Sequence, residues 1–440
     1  MLKNIAFVFS SSIVSQILNF ISGILVIKMV SVKDFGSYSV AVSFINLFVV
    51  ILGGFLTGAL RRFTAYYRGN NSFEYISGIL KLSLIYAFII GLILFLVFFL
   101  FSKALSINVL KSNDYAKFLF FYSLSIPFSI FATYLSSYLT GFEKFKLVSL
   151  SNNVISNIVR LFTLIVWWLF LPFKEIGIVL SLVFKSIVNF FHLLLYSKNE
   201  LKFIKYKSSF EFKEWFKFSL PGFFRYGLSY LSDNIGVIIL GSIKDSINAG
   251  IYRGANFITS ILWNLNLAFS SVLIPKISFL ISQKKEIIAI RILRKYAILN
   301  AVLVYISLLF FIFFGEWVLL LLGKDYVLGY GVLILLSFQV LIGTFSSPFE
   351  IYLEAKGRTD LNLVSYAIYS ISTLAFLFIF TNMYAKEGTA ISYLLSIIVL
   401  FISRIVIFRI FVRGDIYKPL DYIVFLIVLV FTFVFAILKL

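Results

Sequence analysis

The chain has 440 residues, of which 61% are hydrophobic and 13% are charged, and its mean hydropathy is +1.02. Soluble domains contain roughly 45–50% apolar and about 25% charged residues, so this composition excludes a soluble protein. The formal net charge of +20 is typical of nucleic-acid binding, but so few polar residues cannot form a solvated groove, and we expect no nucleic-acid partner. The absence of cysteine, with a single histidine at His192, excludes disulfides and multi-histidine metal sites. We therefore expect no metal and no bound cofactor.

Continuous apolar runs of about twenty residues predict membrane-spanning helices. The runs lie at 5–30, 37–60, 76–101, 116–140, 149–171, 176–197, 218–241, 249–275, 295–322, 328–353, 361–381, 388–408 and 420–438. With the N-terminus in the cytoplasm, the cytoplasmic segments hold 23 Lys and Arg and the outer segments hold 10. Because Lys and Arg accumulate in cytoplasmic loops, this asymmetry predicts a cytoplasmic N-terminus. Thirteen spans would place the C-terminus outside, whereas twelve would place it in the cytoplasm. The number of spans therefore decides the side of the C-terminus.

A weak internal repeat relates the two halves of the chain. The pattern G-x-Y-x-x-A begins at Gly36 and again at Gly250, an offset of 214 residues. The stretch Leu-Val-Ser follows six residues after Gly141 and again after Gly357. Each half holds an even number of spans, so both halves enter the membrane in the same sense, as in parallel transporter repeats. The sequence therefore predicts two six-helix lobes with a substrate site between them.

The repeat divides the chain into four predicted regions. They are an N-terminal lobe (1–197), a basic cytoplasmic linker (198–217), a C-terminal lobe (218–410) and an additional hydrophobic segment (411–440). The linker carries several lysines, which are attracted to anionic lipid head groups at the cytoplasmic surface. We expect it to be solvated and to touch anionic membrane lipids.

Polar side chains recur on single faces of three predicted spans. Asn153, Asn157 and Arg160 follow a helical spacing on the fifth span. Arg225, Ser229 and Asp233 share a face of the seventh span, and the repeat aligns them with Ser11, Ser15 and Asn19 on the first. Charged residues in the bilayer are costly, by about 2.5–3.5 kcal/mol on insertion scales, and normally face protein or a wet cavity. We predict that these faces line a cavity shared by the two lobes.

The charges inside the spans are mostly positive. Lys185 lies near the middle of the sixth span, so its side chain cannot comfortably reach the head groups. Arg160, Lys185 and Arg225 set against Asp233 give a cavity of net positive sign, which suits an anionic head group. Two further charges, Arg404 and Glu350, lie nearer span ends, where a side chain can extend to the interface. We expect Arg404 to do so and Glu350 to be a weak ion site.

Several short motifs resemble a known family. They are Gly36-Ser37-Tyr38, the stretch from Gly53 to Arg62, Thr140-Gly141-Phe142-Glu143-Lys144, Pro221 to Tyr252, and Ala355-Lys356-Gly357-Arg358. Together they resemble the Wzx-type polysaccharide-unit flippases of the multidrug/oligosaccharidyl-lipid/polysaccharide exporter superfamily, over roughly residues 1–412.

The resemblance implies a transporter rather than an enzyme, in the cytoplasmic membrane of a bacterium. Such a protein would move undecaprenyl-diphosphate-linked oligosaccharide units from the inner to the outer leaflet by alternating access of its two lobes. We expect Arg160, Lys185, Arg225, Asn153, Asn157, Asn19 and Ser229 to contact the diphosphate or sugar. Asp233 would couple transport to H⁺ or Na⁺ if an ion is involved. A polysaccharide polymerase and chain-length machinery are candidate partners.

Two alternatives stay open at this stage. A multidrug or cation antiporter on the same fold would prefer carboxylates in an apolar cavity, and among these polar faces only Asp233 offers one. A membrane polysaccharide polymerase would need a large loop with acid, base or metal-binding carboxylates. The predicted loops are about twenty residues or shorter and basic.

Overall fold

A computed structural model describes residues 2–412 and 415–439, and the regular structure over these residues is helical throughout. Within these helices, the side chains at 2–6, 9, 221, 225, 226, 265, 267–272, 275 and 437–439 are not described. The first eleven helices are α1 (Leu2–Met29), α2 (Val32–Gly53), α3 (Thr57–Gly69), α4 (Phe73–Leu100), α5 (Ser102–Ala104), α6 (Ala116–Ser123), α7 (Ile126–Gly141), α8 (Phe145–Ser149), α9 (Ser156–Phe170), α10 (Lys174–Tyr196) and α11 (Phe212–Ile243). The others are α12 (Ser246–Ser282), α13 (Glu286–Leu320), α14 (Tyr330–Ala355), α15 (Thr359–Val412) and α16 (Pro419–Lys439).

Local sequence explains where several helices begin and end. Ser31 caps α2, because its hydroxyl accepts a hydrogen bond of 3.1 Å from the backbone N–H of Asp34. At the end of α14, Gly357 has φ of +79°, and the Arg358 N–H turns back to the carbonyl of Leu353 at 2.8 Å. Glycine adopts this left-handed conformation without steric cost. The Ala355-Lys356-Gly357-Arg358 motif is therefore a helix-terminating turn.

Nine helical segments among the described residues are long and apolar enough to cross a membrane, and one bent pair can form a tenth span. The bent pair, Asn113–Ser123 with Ile126–Gly141, turns by 48°. Helix α15 covers two of the spans that the sequence predicts, and it kinks at Tyr384 and Ala385, where the backbone leaves the helical region. The chain is an all-α polytopic membrane protein. The side of the membrane on which each end lies stays a prediction.

The chain divides by its packing into two units, Met1–Ile247 and Asn248–Leu440. In the N-terminal unit, α10 packs against α9 and α7, α1 packs against α9, and α11 packs against α2. In the C-terminal unit, α14 packs between α13 and α15 and is largely buried. The sequence places the linker between lobes at 198–217, whereas this division follows Ile247. That two six-helix lobes act as the moving units in transport stays a prediction.

The basic linker packs onto the N-terminal unit. Trp215 is fully buried, and its indole N–H donates to the hydroxyl of Tyr67 at 2.9 Å. Ser77 on α4 donates to the carbonyl of Tyr206 at 2.9 Å, and Tyr138 on α7 donates to the carbonyl of Glu200 at 2.7 Å. The lysines of the linker are all exposed, as expected of a solvated segment, while these three contacts hold its other side to the N-terminal unit. Its contact with anionic lipid stays a prediction. Aromatic side chains and backbone carbonyls anchor the segment to α3, α4 and α7.

The C-terminal helix α16 is part of the C-terminal unit. Arg294 on α13 forms a bidentate ion pair with Asp421 on α16, at 2.6 and 2.7 Å. Further along the same two helices, the hydroxyls of Tyr305 and Thr432 lie 3.0 Å apart. The additional hydrophobic segment is thus a packed helix, and its polar contacts determine which face of α16 packs against α13.

Candidate functional site

Two of the predicted polar faces meet inside the N-terminal unit. The side-chain hydrogen bonds between α1 and the chain from Asn153 to Arg160 are Asn153 Nδ2 to Ser11 Oγ at 3.1 Å, Asn157 Nδ2 to Ser15 Oγ at 2.9 Å, and Arg160 Nη1 to Asn19 Oδ1 at 3.4 Å. Residue numbers rise together along both partners, so the two segments run parallel. We call these six residues the amide–arginine ladder. Each rung is about one helical turn from the next, which is the spacing that keeps side chains on one face.

Lys185 on α10 joins this ladder through Asn157. Its ammonium Nζ donates to Asn157 Oδ1 at 2.7 Å. The Nδ2 group of Asn157 donates both to Ser15 Oγ and to the backbone carbonyl of Asn153, at 2.9 and 2.8 Å. Asn157 is 1% exposed. It therefore connects α1, α9 and α10 through one buried amide.

The two cations of this region have no carboxylate partner within the described part of the chain. Arg160 has one long hydrogen bond, and its buried Nε has no acceptor among these residues. Lys185 uses one of three N–H donors on the amide of Asn157. Burying a polar donor without an acceptor costs about 1–3 kcal/mol, and more when the group is charged. The site therefore carries unneutralised positive charge with donors available for an anion.

A π-helical turn at Leu150–Ile155 contains two neighbouring asparagines, Asn152 and Asn153. Asn153 belongs to the ladder, whereas Asn152 accepts from Asn189 Nδ2 at 3.0 Å and donates to Ser136 Oγ at 3.2 Å. A π-turn adds a residue to a helical turn, which changes the direction of the side chains on either side, and such turns are frequent at functional sites. The consecutive amides thus serve two separate networks.

The second network borders a cavity of about 490 Å³ within the N-terminal unit. We call it the hydroxyl cavity. Its lining residues are Arg61, Ser129, Ala132, Thr133, Ser136, Ser137, Thr140, Val148, Asn152, Ser156, Lys185, Ser186 and Asn189. Lys185 belongs to both features, because it lines the cavity and also bonds to the ladder. The cavity is lined mainly by hydroxyl and amide groups.

The structure brings together five of the predicted site residues. These are Asn19, Asn153, Asn157, Arg160 and Lys185. Ser229 and the exposed Asp233 lie on α11, which packs against α2 and α3. The side chain of Arg225 lies outside the described residues. Contact with a substrate, for all of these residues, stays a prediction.

Apart from Lys185, sequence reasoning missed the lining of the hydroxyl cavity. Ser129, Thr133, Ser136 and Thr140 recur at a helical spacing on α7, which is a signal of one polar face. Asn189 follows Lys185 by one turn on α10. The spacing could have identified both polar faces, but it carries no information about which helices enclose a cavity.

The C-terminal unit contains a buried ion pair that corrects one expectation. Arg404 is 3% exposed, and its Nη2 contacts Glu350 Oε2 at 2.7 Å, while Nη1 donates to Ser346 Oγ at 3.0 Å. Tyr366 donates to the other oxygen of Glu350 at 2.9 Å. The expectation that Arg404 extends to the interface is therefore wrong. The neighbouring helix supplies a carboxylate, and pairing inside the protein replaces the head-group water.

The fold defines the class to which this protein belongs. A multidrug resistance MATE family transporter of the MOP superfamily, in an inward-facing conformation, superimposes with a TM-score of 0.75 at 15% identity, over 89% of this chain and 94% of that one. The lipid II flippase MurJ, in an inward closed conformation, superimposes with a TM-score of 0.73 at 18% identity, over 97% of each chain. The protein has the fold of the MOP-superfamily transporters.

Sequence comparison identifies the family. A family model described as "Polysaccharide biosynthesis protein" matches residues 1–281, well over half of the chain, and the chain therefore belongs to this family. The capsular polysaccharide biosynthesis protein CapF of Staphylococcus aureus is 24% identical over 418 residues, covering 92% of this chain and 98% of that protein. The predicted relation to polysaccharide exporters of this superfamily is confirmed.

Proposed function

We propose that the protein is a flippase that exports undecaprenyl-diphosphate-linked oligosaccharide units from the inner to the outer leaflet of a bacterial cytoplasmic membrane. It would expose its site alternately to the two sides of the membrane. The observation that carries this proposal is the pair of cations, Arg160 and Lys185, held in membrane-spanning helices by neutral amides alone. Family membership supports the link to polysaccharide synthesis.

The chemistry of the substrate matches this arrangement. A diphosphate carries negative charge that hydrocarbon cannot solvate, and desolvation costs several kcal/mol per ion even after relaxation of the surroundings. Unpaired guanidinium and ammonium donors replace the lost water with charge-assisted hydrogen bonds. The ladder supplies such donors on rigid helices, which favours binding of the phosphate groups while the lipid tail stays in the bilayer.

The electrostatics also bear on the alternatives. A drug-cation exporter would need carboxylates at its site, whereas the described ladder and hydroxyl cavity contain arginine, lysine, amides and hydroxyls. A polymerase would need an acid–base pair or metal-binding carboxylates. No group of three or more His, Asp or Glu that could hold a metal occurs among the described residues. The positive site favours a carrier of anions.

The energy source and the orientation are part of the proposal. With the N-terminus in the cytoplasm, an inside-negative potential favours outward movement of an anion by about 2.3 kcal/mol per charge per 100 mV. Coupling to H⁺ or Na⁺ would add to this driving force. Asp233 on α11 is the candidate coupling residue, because it is an exposed carboxylate on a helix of the N-terminal unit.

Charge-removing variants test the proposal. We expect Arg160→Gln, Lys185→Gln and Arg225→Gln each to lower surface polysaccharide while lipid-linked units accumulate at the inner leaflet. The matched control is Lys81→Gln, which removes a lysine from the membrane-spanning helix α4 outside the ladder and the cavity. Export at the normal rate by all three variants, at normal protein level, would contradict the proposal.

A further inference from the structure

The hydroxyl cavity has the chemistry of a site for a sugar. Thirteen residues line it, and apart from Ala132 and Val148 every one carries a polar or charged side chain. We propose that this cavity binds one sugar residue bearing an anionic group, as a subsite that adjoins the amide–arginine ladder through Lys185. The proposal rests on the proposed function for its meaning in transport, since the sugar would belong to the exported unit.

The size of the cavity allows such a ligand. Small-molecule sites in proteins have volumes of about 300–1,000 Å³, and the volume of about 490 Å³ falls within this range. The walls come from α3, α7, α8, the π-turn, α9 and α10, all within the N-terminal unit. A site built on packed helices holds its polar groups in fixed positions, which lowers the entropic cost of binding.

The hydroxyl and amide groups of the lining can form hydrogen bonds with the hydroxyl groups of a sugar ring. Ser and Thr hydroxyls donate one hydrogen bond and accept others, and Asn amides do both, which matches the hydroxyls of a sugar. Asn152 is held in place by Ser136 and Asn189, at 3.2 and 3.0 Å. Ser151 donates to Asn189 Oδ1 at 2.7 Å, which orients that second amide. The other lining hydroxyls with a printed bond donate to backbone carbonyls of their own helices, so they present their oxygens as acceptors; they are Ser129, Thr133, Thr140, Ser156 and Ser186. The cavity therefore presents mainly pre-oriented acceptors, together with one further N–H from each of Asn152 and Asn189.

Two cationic side chains, Arg61 and Lys185, give the cavity a positive charge. The side chain of Arg61 makes no hydrogen bond or ion pair with any residue that the structure describes, and it is exposed. Lys185 has two N–H donors beyond the one that it gives to Asn157. No carboxylate lines the cavity among the described residues. A guanidinium and an ammonium without counter-ions favour a ligand whose ring carries a carboxylate or a phosphate.

Ligand-observed NMR on the full-length protein in detergent micelles tests the proposal. The probes are glucuronate, glucose 6-phosphate, glucose, acetate and inorganic phosphate, each titrated alone. We expect saturation transfer to glucuronate or to glucose 6-phosphate, with at least tenfold weaker binding of glucose. The better of the two acidic sugars identifies the anionic group as carboxylate or phosphate. Acetate and inorganic phosphate should fail to displace it at equal concentration.

Variants separate the charge from the ring contacts. We expect Arg61→Gln and Lys185→Gln each to weaken binding of the acidic sugar at least fivefold and to leave the weak binding of glucose unchanged. Ser136→Val should weaken both sugars. Arg62→Gln is the matched control for Arg61→Gln, because Arg62 lies next in sequence but stacks on the ring of Phe218 at 4.3 Å and does not line the cavity.

The outcomes distinguish this subsite from the flippase proposal. Equal binding of glucose and glucuronate would overturn the subsite, because the anionic group would then contribute nothing to affinity. Equal displacement by acetate or phosphate would also overturn it, because the sugar ring would then contribute nothing. Equal affinity in Arg61→Gln, Lys185→Gln and the unchanged protein would also overturn it. None of these results touches the export test on Arg160→Gln, which the flippase proposal must pass by itself.

Discussion

Replacing Asn157 by aspartate separates the stability of the ladder from its affinity for anions. The amide oxygen of Asn157 accepts from Lys185 at 2.7 Å. A carboxylate there keeps this acceptor and adds a counter-ion to Lys185, so Asn157→Asp lowers the net charge of the ladder by one. It also loses the two N–H donations to Ser15 Oγ and to the Asn153 carbonyl. Anion affinity should therefore fall while the stability of the fold stays nearly the same.

The magnitudes follow from these contacts. The two lost neutral hydrogen bonds contribute about 0.5–1.5 kcal/mol each, and the gain is the charge attraction that the carboxylate adds to the existing bond with Lys185. Gain and loss nearly cancel, so we expect the melting temperature of Asn157→Asp to match that of the unchanged protein. Two unit charges 4 Å apart interact by about 4 kcal/mol at an effective dielectric constant of 20. Partial solvation reduces this term, and we expect anion affinity to fall about 10–100-fold, which is about 1.4–2.8 kcal/mol.

The assay needs two readouts on the same variants. Surface polysaccharide and inner-leaflet lipid-linked units report transport, and thermal unfolding in detergent reports stability. Asn157→Leu should lower both, because it leaves the Lys185 ammonium without its acceptor. Asn382→Asp, at an exposed position of α15, is the control for an added carboxylate. Wild-type export by Asn157→Asp, with Asn382→Asp also normal, would refute the reasoning that the positive charge of the ladder serves an anionic substrate.

Three further predictions concern the fold. Trp215→Ala should remove the aromatic anchor of the linker and lower the free energy of unfolding by about 3–5 kcal/mol, as expected for a buried tryptophan. Trypsin should then cleave faster at Lys207. Unchanged cleavage would contradict the packing of the linker onto the N-terminal unit. Glu350→Gln should lower the melting temperature, because it leaves the buried Arg404 without its carboxylate; about 3–5 kcal/mol is the cost for a fully buried pair, and the partial exposure of Glu350 reduces it. Glu350→Leu with Arg404→Met should restore much of the loss. A topology reporter fused after Lys439 should read as outside, and cytoplasmic activity would refute the count of thirteen spans.

Much of the architecture follows from local sequence. An apolar run long enough to cross a bilayer must form a helix there, because the backbone N–H and C=O groups find no water partners in hydrocarbon. Helical periodicity is equally local, so Asn153, Asn157 and Arg160 could be placed on one face, and so could Ser11, Ser15 and Asn19. In the structure the two sets bond to each other within the N-terminal unit, and a cavity shared by the two lobes stays a prediction.

The prediction of which faces meet depends on contacts distant in sequence. The repeat pairs the face of the first span with that of the seventh, but the rungs of the ladder join residues 141 and 142 positions apart within the N-terminal unit. Arg404 shows the same limit, since its position near a span end suggests snorkelling while its carboxylate partner lies 54 residues away. Neither partner is visible in a local pattern.

The sequence by itself determined the membrane class, the helical content, the uneven distribution of Lys and Arg between alternate loops and the identity of the polar helix faces. These depend on hydropathy and on the repeat of 3.6 residues per turn, which are properties of short segments. Only the tertiary structure decided that Lys185 bonds to Asn157, that Asn152 and Asn153 of one π-turn enter different networks, and that five helices and this π-turn enclose a hydroxyl cavity. Packing fixed these features, because a helix face finds its partner through the complementarity of surfaces that the chain brings together only on folding.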